Sequence, residues 1–169
     1  MTDSTLVLLR HAKAEPPERY RRDTERPLSE RGHADARVAG EWLAAENLVP
    51  DLVLCSPALR TRETWADVAA ALAGAAAPSA PPVEFQHSLY EEGAEAMLRT
   101  ISQVRTEVRT LLVVGHNPTL SIVSGYLDPA GGDGGSLRTA GIAVHAVPGP
   151  WSICTPRVAR RSTTYTARA

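Results

Sequence analysis

Two histidines and two arginines stand where apolar segments of this chain stop. Leu6-Val7-Leu8-Leu9 runs straight into Arg10-His11, and Leu111-Leu112-Val113-Val114-Gly115 runs into His116-Asn117-Pro118. A third junction, Cys55-Ser56-Pro57-Ala58-Leu59-Arg60, puts a guanidinium into the first turn of the helix that follows. Apolar runs without alternation suit parallel strands covered on both faces, and open α/β sheets take their ligands at the carboxyl ends of such strands. The expectation is one crevice in which two imidazoles and two guanidiniums meet.

Such a set suits phosphoryl transfer. Adjacent cations lower the pKa of an imidazole and favour the neutral ring, whose nitrogen lone pair is a nucleophile. His11 would attack phosphorus in line while Arg10, Arg60 and His116 hold the equatorial oxygens as charge redistributes. Arg60 is well placed for this, because a helix N-terminus already favours anions and a planar guanidinium grips phosphate oxygens two at a time. Asn117, next to His116, is a further candidate phosphate ligand.

The elements that must position these groups alternate as strand and helix, which predicts an α/β three-layer αβα sandwich around a mostly parallel central sheet. Strands are expected at Thr5–Arg10, Asp51–Cys55, Val83–Gln86 and Leu111–Gly115. Helices are expected at about Ser29–Glu46, with Ser29 as N-cap, and at about Ala58–Ala73. Two more should cover Ala94–Val108, from the spacing of Met97, Leu98, Ile101, Val104 and Val108, and Pro118–Leu127. Ala75–Pro82 reads as a linker with three prolines, and Pro129–Ser136, with four glycines, as a surface loop. Leu137–Val147 and Trp151–Pro156 should form an antiparallel hairpin, and the tail from Arg157, with four arginines, a frayed terminus.

At 169 residues the expectation is a single domain spanning 1–169. A net charge of −1 argues against nucleic acid as a partner. No secretory leader or membrane span is legible, so the expected setting is the cytoplasm, without membrane association and as a monomer. Cys55 and Cys154 read as buried thiols rather than a disulfide.

Four stretches together resemble the histidine phosphatase, or phosphoglycerate mutase-like, superfamily: Leu9-Arg10-His11-Ala12-Lys13, then Asp23-Thr24-Glu25-Arg26-Pro27-Leu28-Ser29-Glu30-Arg31-Gly32, then Ser56-Pro57-Ala58-Leu59-Arg60-Thr61-Arg62-Glu63-Thr64, and Val114-Gly115-His116-Asn117-Pro118. Within it the chain is most similar to the short SixA-type phosphohistidine phosphatases. The resemblance implies a phosphohistidine intermediate on His11, a phosphate pocket of Arg10, Arg60 and His116, and no metal or organic cofactor. Mutases follow the first histidine with glycine and then an acidic or amide residue, whereas this chain has Ala12-Lys13-Ala14-Glu15, which makes mutase activity a poor fit. The length leaves no room for the large cap of longer relatives, and an open crevice suits a phosphorylated protein. A small phosphorylated metabolite, hydrolysed by the same core, is the alternative.

The proton donor stays open at this level. In the superfamily a carboxylate protonates the leaving group, and Glu91 and Glu92 are the candidates, with Glu15 and Asp23 as outside choices. Imidazole is a good leaving group, so a phosphohistidine hydrolase has less need of an acid. Arg26 reads as an ion-pair partner of Asp23 or, with Lys13, as positive potential at the mouth. His33, His87 and His145 are given no role. The pair Cys55 and Arg60 resembles a cysteine-dependent phosphatase loop, but four residues separate them where that chemistry needs five.

Overall fold

The computed structural model describes residues 3–75, 79–131 and 135–169. Its centre is a six-stranded sheet in the order β3-β2-β4-β1-β5-β6. Strands β1 (Ser4–Arg10), β2 (Leu52–Cys55), β3 (Val83–Phe85) and β4 (Thr110–Gly115) run parallel; β5 (Gly141–Val147) adds antiparallel to β1, and β6 (Arg160–Thr166) antiparallel to β5 at the edge. Helices α1 (Glu30–Ala45) and α2 (Leu59–Ala75) cover one face, against Val7, Leu9, Leu112 and Val114. Helices α4 (Ala94–Ser102) and α5 (Thr119–Leu127), with the single turn α3 (Ser88–Glu91) before them, cover the other, against Leu6, Leu8, Leu111 and Val113. Alternate side chains of one strand thus enter two different cores, which is why β1 and β4 read as unbroken apolar runs. No described helix is long and apolar enough to cross a membrane.

Local chemistry accounts for the ends. Ser29 caps α1 by accepting from the Gly32 amide at 3.1 Å. At its other end Asn47 takes the left-handed conformation, φ 57°, that asparagine tolerates best among non-glycine residues. Asp51 accepts from the amides of both Arg109 and Thr110 at 2.8 Å, which sets β2 against β4 in register.

Three expectations fail for physical reasons. The helix over Ala94–Val108 stops at Ser102, while Val104 and Val108 still reach the core from the turn beyond it, so the apolar spacing outlives the helix. Trp151–Pro156 is not a strand: Trp151–Ile153 is a 3-10 turn in which the buried Trp151 donates its indole N–H to the Val108 carbonyl at 2.8 Å. The tail does not fray. Its threonines and Tyr165 form β6, Tyr165 stacks on Trp42 at 4.6 Å, and the Ala169 amide donates to buried Asp35 at 2.9 Å. The glycine-rich loop and the proline-bearing linker lie partly outside the described residues, at 132–134 and 76–78.

One glycine couples the first helix to the loop after β1. A Cβ on Gly32 would overlap the carbonyl oxygen of Lys13, the same oxygen that accepts from the Ser29 amide at 2.8 Å and its hydroxyl at 3.0 Å. Backbone cannot yield as a flexible side chain would. Gly32→Ala should therefore cost about 1–3 kcal/mol and lower the melting temperature by several degrees; a melt superimposable on wild type would show that the loop accommodates the methyl group.

Candidate functional site

The carboxyl ends of β1, β2 and β4 converge, and each delivers one part of the site. The His11 amide donates to the Gly115 carbonyl on β4 at 3.1 Å, while the His11 carbonyl accepts from Ala140 at 3.1 Å on the β5 side. The nucleophile candidate is thus clamped by backbone from both neighbours. The amide of Ser56 donates to the Val114 carbonyl at 3.0 Å, tying the start of α2 to the same edge. As a result the rings of His11 and His116 lie with centroids 5.3 Å apart, and Arg60 Nη2 is 3.2 Å from His116 Nδ1.

The middle motif explains itself as lashings. Thr61 donates to the carbonyls of Ser56 and Ala58, Thr64 accepts from the Ala12 amide at 3.1 Å, and Glu63 accepts from the Leu28 amide at 2.7 Å. The first turns of α2 therefore hold three loops around Arg60. Arg62 pairs with neither Glu63 nor Asp67; it lies over the Phe85 ring, 5.7 Å from its centre, while Asp67 takes His33 at 2.6 Å.

Hydrogen bonds fix which ring nitrogens carry protons. A carbonyl only accepts, so His11 Nδ1, 2.8 Å from the Ala12 oxygen, is the protonated nitrogen and Nε2 keeps its lone pair. A guanidinium only donates, so His116 Nδ1 accepts from Arg60 and its Nε2–H donates to the Ser56 hydroxyl at 2.8 Å. His11, 8 % exposed, has its pKa pushed down to about 4, first by burial and then by the charges of Arg60, Arg10 and Arg26. Burial, followed by Arg60, pushes His116 down to about 3. Neutral imidazoles were expected from neighbouring cations; desolvation is the larger cause.

A pH signature follows. Both rings bind protons less readily when folded than in the unfolded chain, where about 6.5 is ordinary. Their contribution to stability is complete above that value and is lost as pH falls toward the folded values, because the unfolded chain gains protons that the folded protein does not. The melting temperature should decline steadily between about pH 6.5 and 4, and a flat profile there would contradict neutral buried rings.

Arg10 donates through Nη1 to the Leu137 carbonyl at 2.8 Å. Arg60 is 6 % exposed, so the guanidinium expected at an open surface crevice is instead a buried one. Among the described residues, the buried side-chain atoms without a hydrogen-bond partner are Arg10 Nε and Arg60 Nε. Both belong to the groups expected to hold phosphate.

Other expectations are redirected. Asn117 spends both amide hydrogens, on the Ser136 hydroxyl at 2.8 Å and the Leu137 carbonyl at 2.7 Å, while its oxygen accepts from Ser121. It anchors the segment whose Leu137 carbonyl holds Arg10, and its side chain has no donor left for an anion. Glu91 and Glu92 are exposed at the end of α3, neither has a polar contact with the four pocket side chains among the described residues, and Glu92 approaches Arg99 at 3.7 Å. Their neighbour Tyr90 does reach the pocket. Its ring meets His116 edge-on at 5.4 Å and its hydroxyl donates to Asp23 at 2.9 Å. Asp23 in turn pairs with Arg60 at 2.8 Å and, as expected, with Arg26 at 2.9 Å. Burial alone would raise the Asp23 pKa, but hydrogen bonds from Arg26, Tyr90 and Arg60 outweigh it and hold it at about 2.

Outside the pocket, His145 is a core residue held by the Ser124 hydroxyl and the Ala159 carbonyl, and Cys55 and Cys154 are buried free thiols. Burial pushes Cys55 up to about 12, which leaves it without thiolate character near neutrality. The cysteine-phosphatase alternative loses its nucleophile as well as its spacing.

Residues 6–94 match the sequence model of the histidine phosphatase superfamily, branch 1. An uncharacterized protein of Mycobacterium tuberculosis is 36% identical over 156 residues, covering 88% of this chain and 92% of that one. Among solved structures, a candidate phosphohistidine phosphatase SixA from Nakamurella multipartitia is 31% identical with a TM-score of 0.84, covering 100% of this chain and 99% of that one. A second SixA candidate, from Agrobacterium tumefaciens, is 28% identical with a TM-score of 0.77, covering 98% and 99%. With its matched sequence, its mixed sheet and its paired imidazoles at one sheet edge, this chain belongs to branch 1 of the histidine phosphatase superfamily.

Proposed function

We propose that the protein hydrolyses phosphohistidine carried by a protein, through a phosphoryl group held transiently on His11. The observation that carries the reading is the pair of buried N–H donors, Arg10 Nε and Arg60 Nε, left without acceptors beside a nucleophile whose free lone pair is fixed at Nε2. Buried donors are costly to leave unmet, and phosphoryl oxygens are the acceptors that guanidinium groups match.

In the first step the His11 Nε2–P bond forms as the bond from phosphorus to the substrate ring nitrogen breaks, in line, and the freed imidazole leaves neutral after protonation of its distal nitrogen. In the second, water attacks phosphorus, its proton leaves with solvent, and phosphate and neutral His11 result. Arg10 and Arg60 stabilise the charge spread over the equatorial oxygens, and His116 lines the same pocket. The carboxylate nearest the pocket chemistry, Asp23, is ionised down to about pH 2 and has no proton to give at neutrality. That favours a leaving group which needs little help in taking its proton, as a phosphohistidine ring does compared with a sugar or serine oxygen.

Profiling decides the substrate. Against a phosphohistidine peptide, phosphoramidate, phosphoserine peptide and a panel of sugar phosphates, kcat/KM should favour the phosphorus–nitrogen substrates by at least about tenfold, equivalent to about 1.4 kcal/mol at the transition state. Preference for a sugar phosphate would move the substrate to the small-molecule alternative, and phosphate binding without turnover would make the pocket a receptor.

A further inference from the structure

Arg60 is expected to touch the phosphoryl group, yet both of its terminal nitrogens are already committed. Nη1 donates to the Asp23 backbone carbonyl at 2.8 Å, and Nη2 donates to Asp23 Oδ2 at 2.8 Å as well as to His116 at 3.2 Å. A planar guanidinium gripped at both Nη atoms by one residue cannot swing about its Cδ–Nε bond, so the direction of the unpartnered Nε–H is set by Asp23.

The brace is itself braced. Asp23 lies in the 3-10 turn Asp23–Glu25, with 44% of its side chain exposed, and an exposed aspartate alone would hold a guanidinium weakly. Here further donors come from the cap of its own turn and from a second element. Arg26 Nη1 donates to Oδ1 at 2.9 Å, with its own Nε held on the Glu15 carbonyl at 3.1 Å, and the Tyr90 hydroxyl donates to Oδ2 at 2.9 Å from α3. Among the described residues Asp23 is also the one carboxylate paired within a group of three guanidiniums, Arg10, Arg26 and Arg60, whose charges are all felt at His11. Without it Arg60 and Arg26 would repel one another and Arg60 would lose its fixed direction.

We propose that Asp23 is a positioning residue for phosphoryl transfer, aiming Arg60 at the phosphoryl group through both terminal nitrogens, with Tyr90 and Arg26 holding it in place. The inference rests on the reading of the pocket as a phosphoryl-transfer site. It assigns Asp23 neither of two other roles. A proton donor would need a hydrogen to give, and a plug that phosphate displaces would not be tied at once by Arg60 of α2, Tyr90 of α3 and Arg26 at the cap of its own turn.

The three roles separate in the full chain with p-nitrophenyl phosphate and phenyl phosphate, which differ in how much their leaving groups need a proton, and with inorganic phosphate as inhibitor. Asp23→Ala should lose on the order of 10- to 100-fold in kcat with both esters alike, the scale expected when a reacting group is misaimed, and should weaken phosphate inhibition. Asp23→Asn, which keeps an acceptor for Nη2, should recover part of the loss, and Tyr90→Phe should lose only a few-fold in kcat. A loss confined to phenyl phosphate would make Asp23 the acid, and unchanged or faster turnover with tighter phosphate inhibition would make it the plug; either overturns the inference. If Asp23→Ala does not fold, Asp23→Asn and Tyr90→Phe carry the same comparison, and wild-type rates in both would overturn it. Wild type and His11→Ala are run alongside, with phosphoramidate added: a wild type inert toward phosphoramidate as well as both esters removes the phosphatase reading itself, whereas an active wild type with an inert His11→Ala leaves Asp23 as the only question.

Discussion

Replacing His11 with alanine should reduce phosphate release to background, a loss of roughly 10⁴-fold or more, as for the removal of other attacking side chains. The size of the effect follows from how the ring is held. Its Nδ1–H is spent on the Ala12 carbonyl, its backbone is clamped between Gly115 and Ala140, and its pKa of about 4 leaves Nε2 unprotonated across the neutral range. His116 cannot substitute, because its Nδ1 lone pair is engaged by Arg60 and its Nε2 carries the proton given to Ser56. Rapid acid-free quenching of wild type with labelled substrate should trap a phosphoryl adduct that survives base and is lost in acid, as a phosphorus–nitrogen bond is, and the label should map to His11. Turnover in His11→Ala near the wild-type rate would end the proposed mechanism.

Arg60→Ala should be the second largest loss, on the order of 10²–10³-fold in kcat, the cost typical of removing one preorganised donor to developing charge. Arg60→Lys should rescue little of it, since an ammonium reproduces the charge but not the fork that engages Asp23, His116 and an anion together. Breaking a fully buried ion pair is severely destabilising. Here the partner left behind, Asp23, is 44% exposed and keeps Arg26 and Tyr90, so the variant should fold and melt close to wild type. A folded Arg60→Ala with an unchanged kcat would remove this side chain from the chemistry, and one that fails to fold would show that its burial matters more to the core than to the pocket.

How much of this was legible in the sequence depends on what kind of force placed each residue. His11, Arg10, Arg60 and His116 follow strands whose unbroken apolar character is dictated by two cores, and the sheet brings such ends to one edge whatever the loops do. Groups placed by loop paths were harder. Leu89-Tyr90-Glu91-Glu92 drew notice for its two charges, yet the phenol one position earlier reaches the pocket while the carboxylates stay outside. Asn117 sits beside His116 in sequence, but an amide is claimed by the nearest unmet backbone group, here the Leu137 carbonyl. Arg157 to Arg168 read as a charged tail because sequence shows the charges and not the open edge of β5 that Thr163, Thr164 and Tyr165 complete.

The interlock between Gly32 and the Lys13 carbonyl has a consequence for how the protein breathes. Ser29 grips that same oxygen twice, and the Ala14–Leu28 bridge lies alongside, so the loop after His11 and the first turn of α1 have no room to move apart. Thermal openings that expose Ala12 to Ala14 must carry the head of α1 with them. Their amide hydrogens should then exchange with deuterium at a common rate, slower than in an unanchored surface turn, and the His11 ring would inherit the rigidity of a sixteen-residue helix.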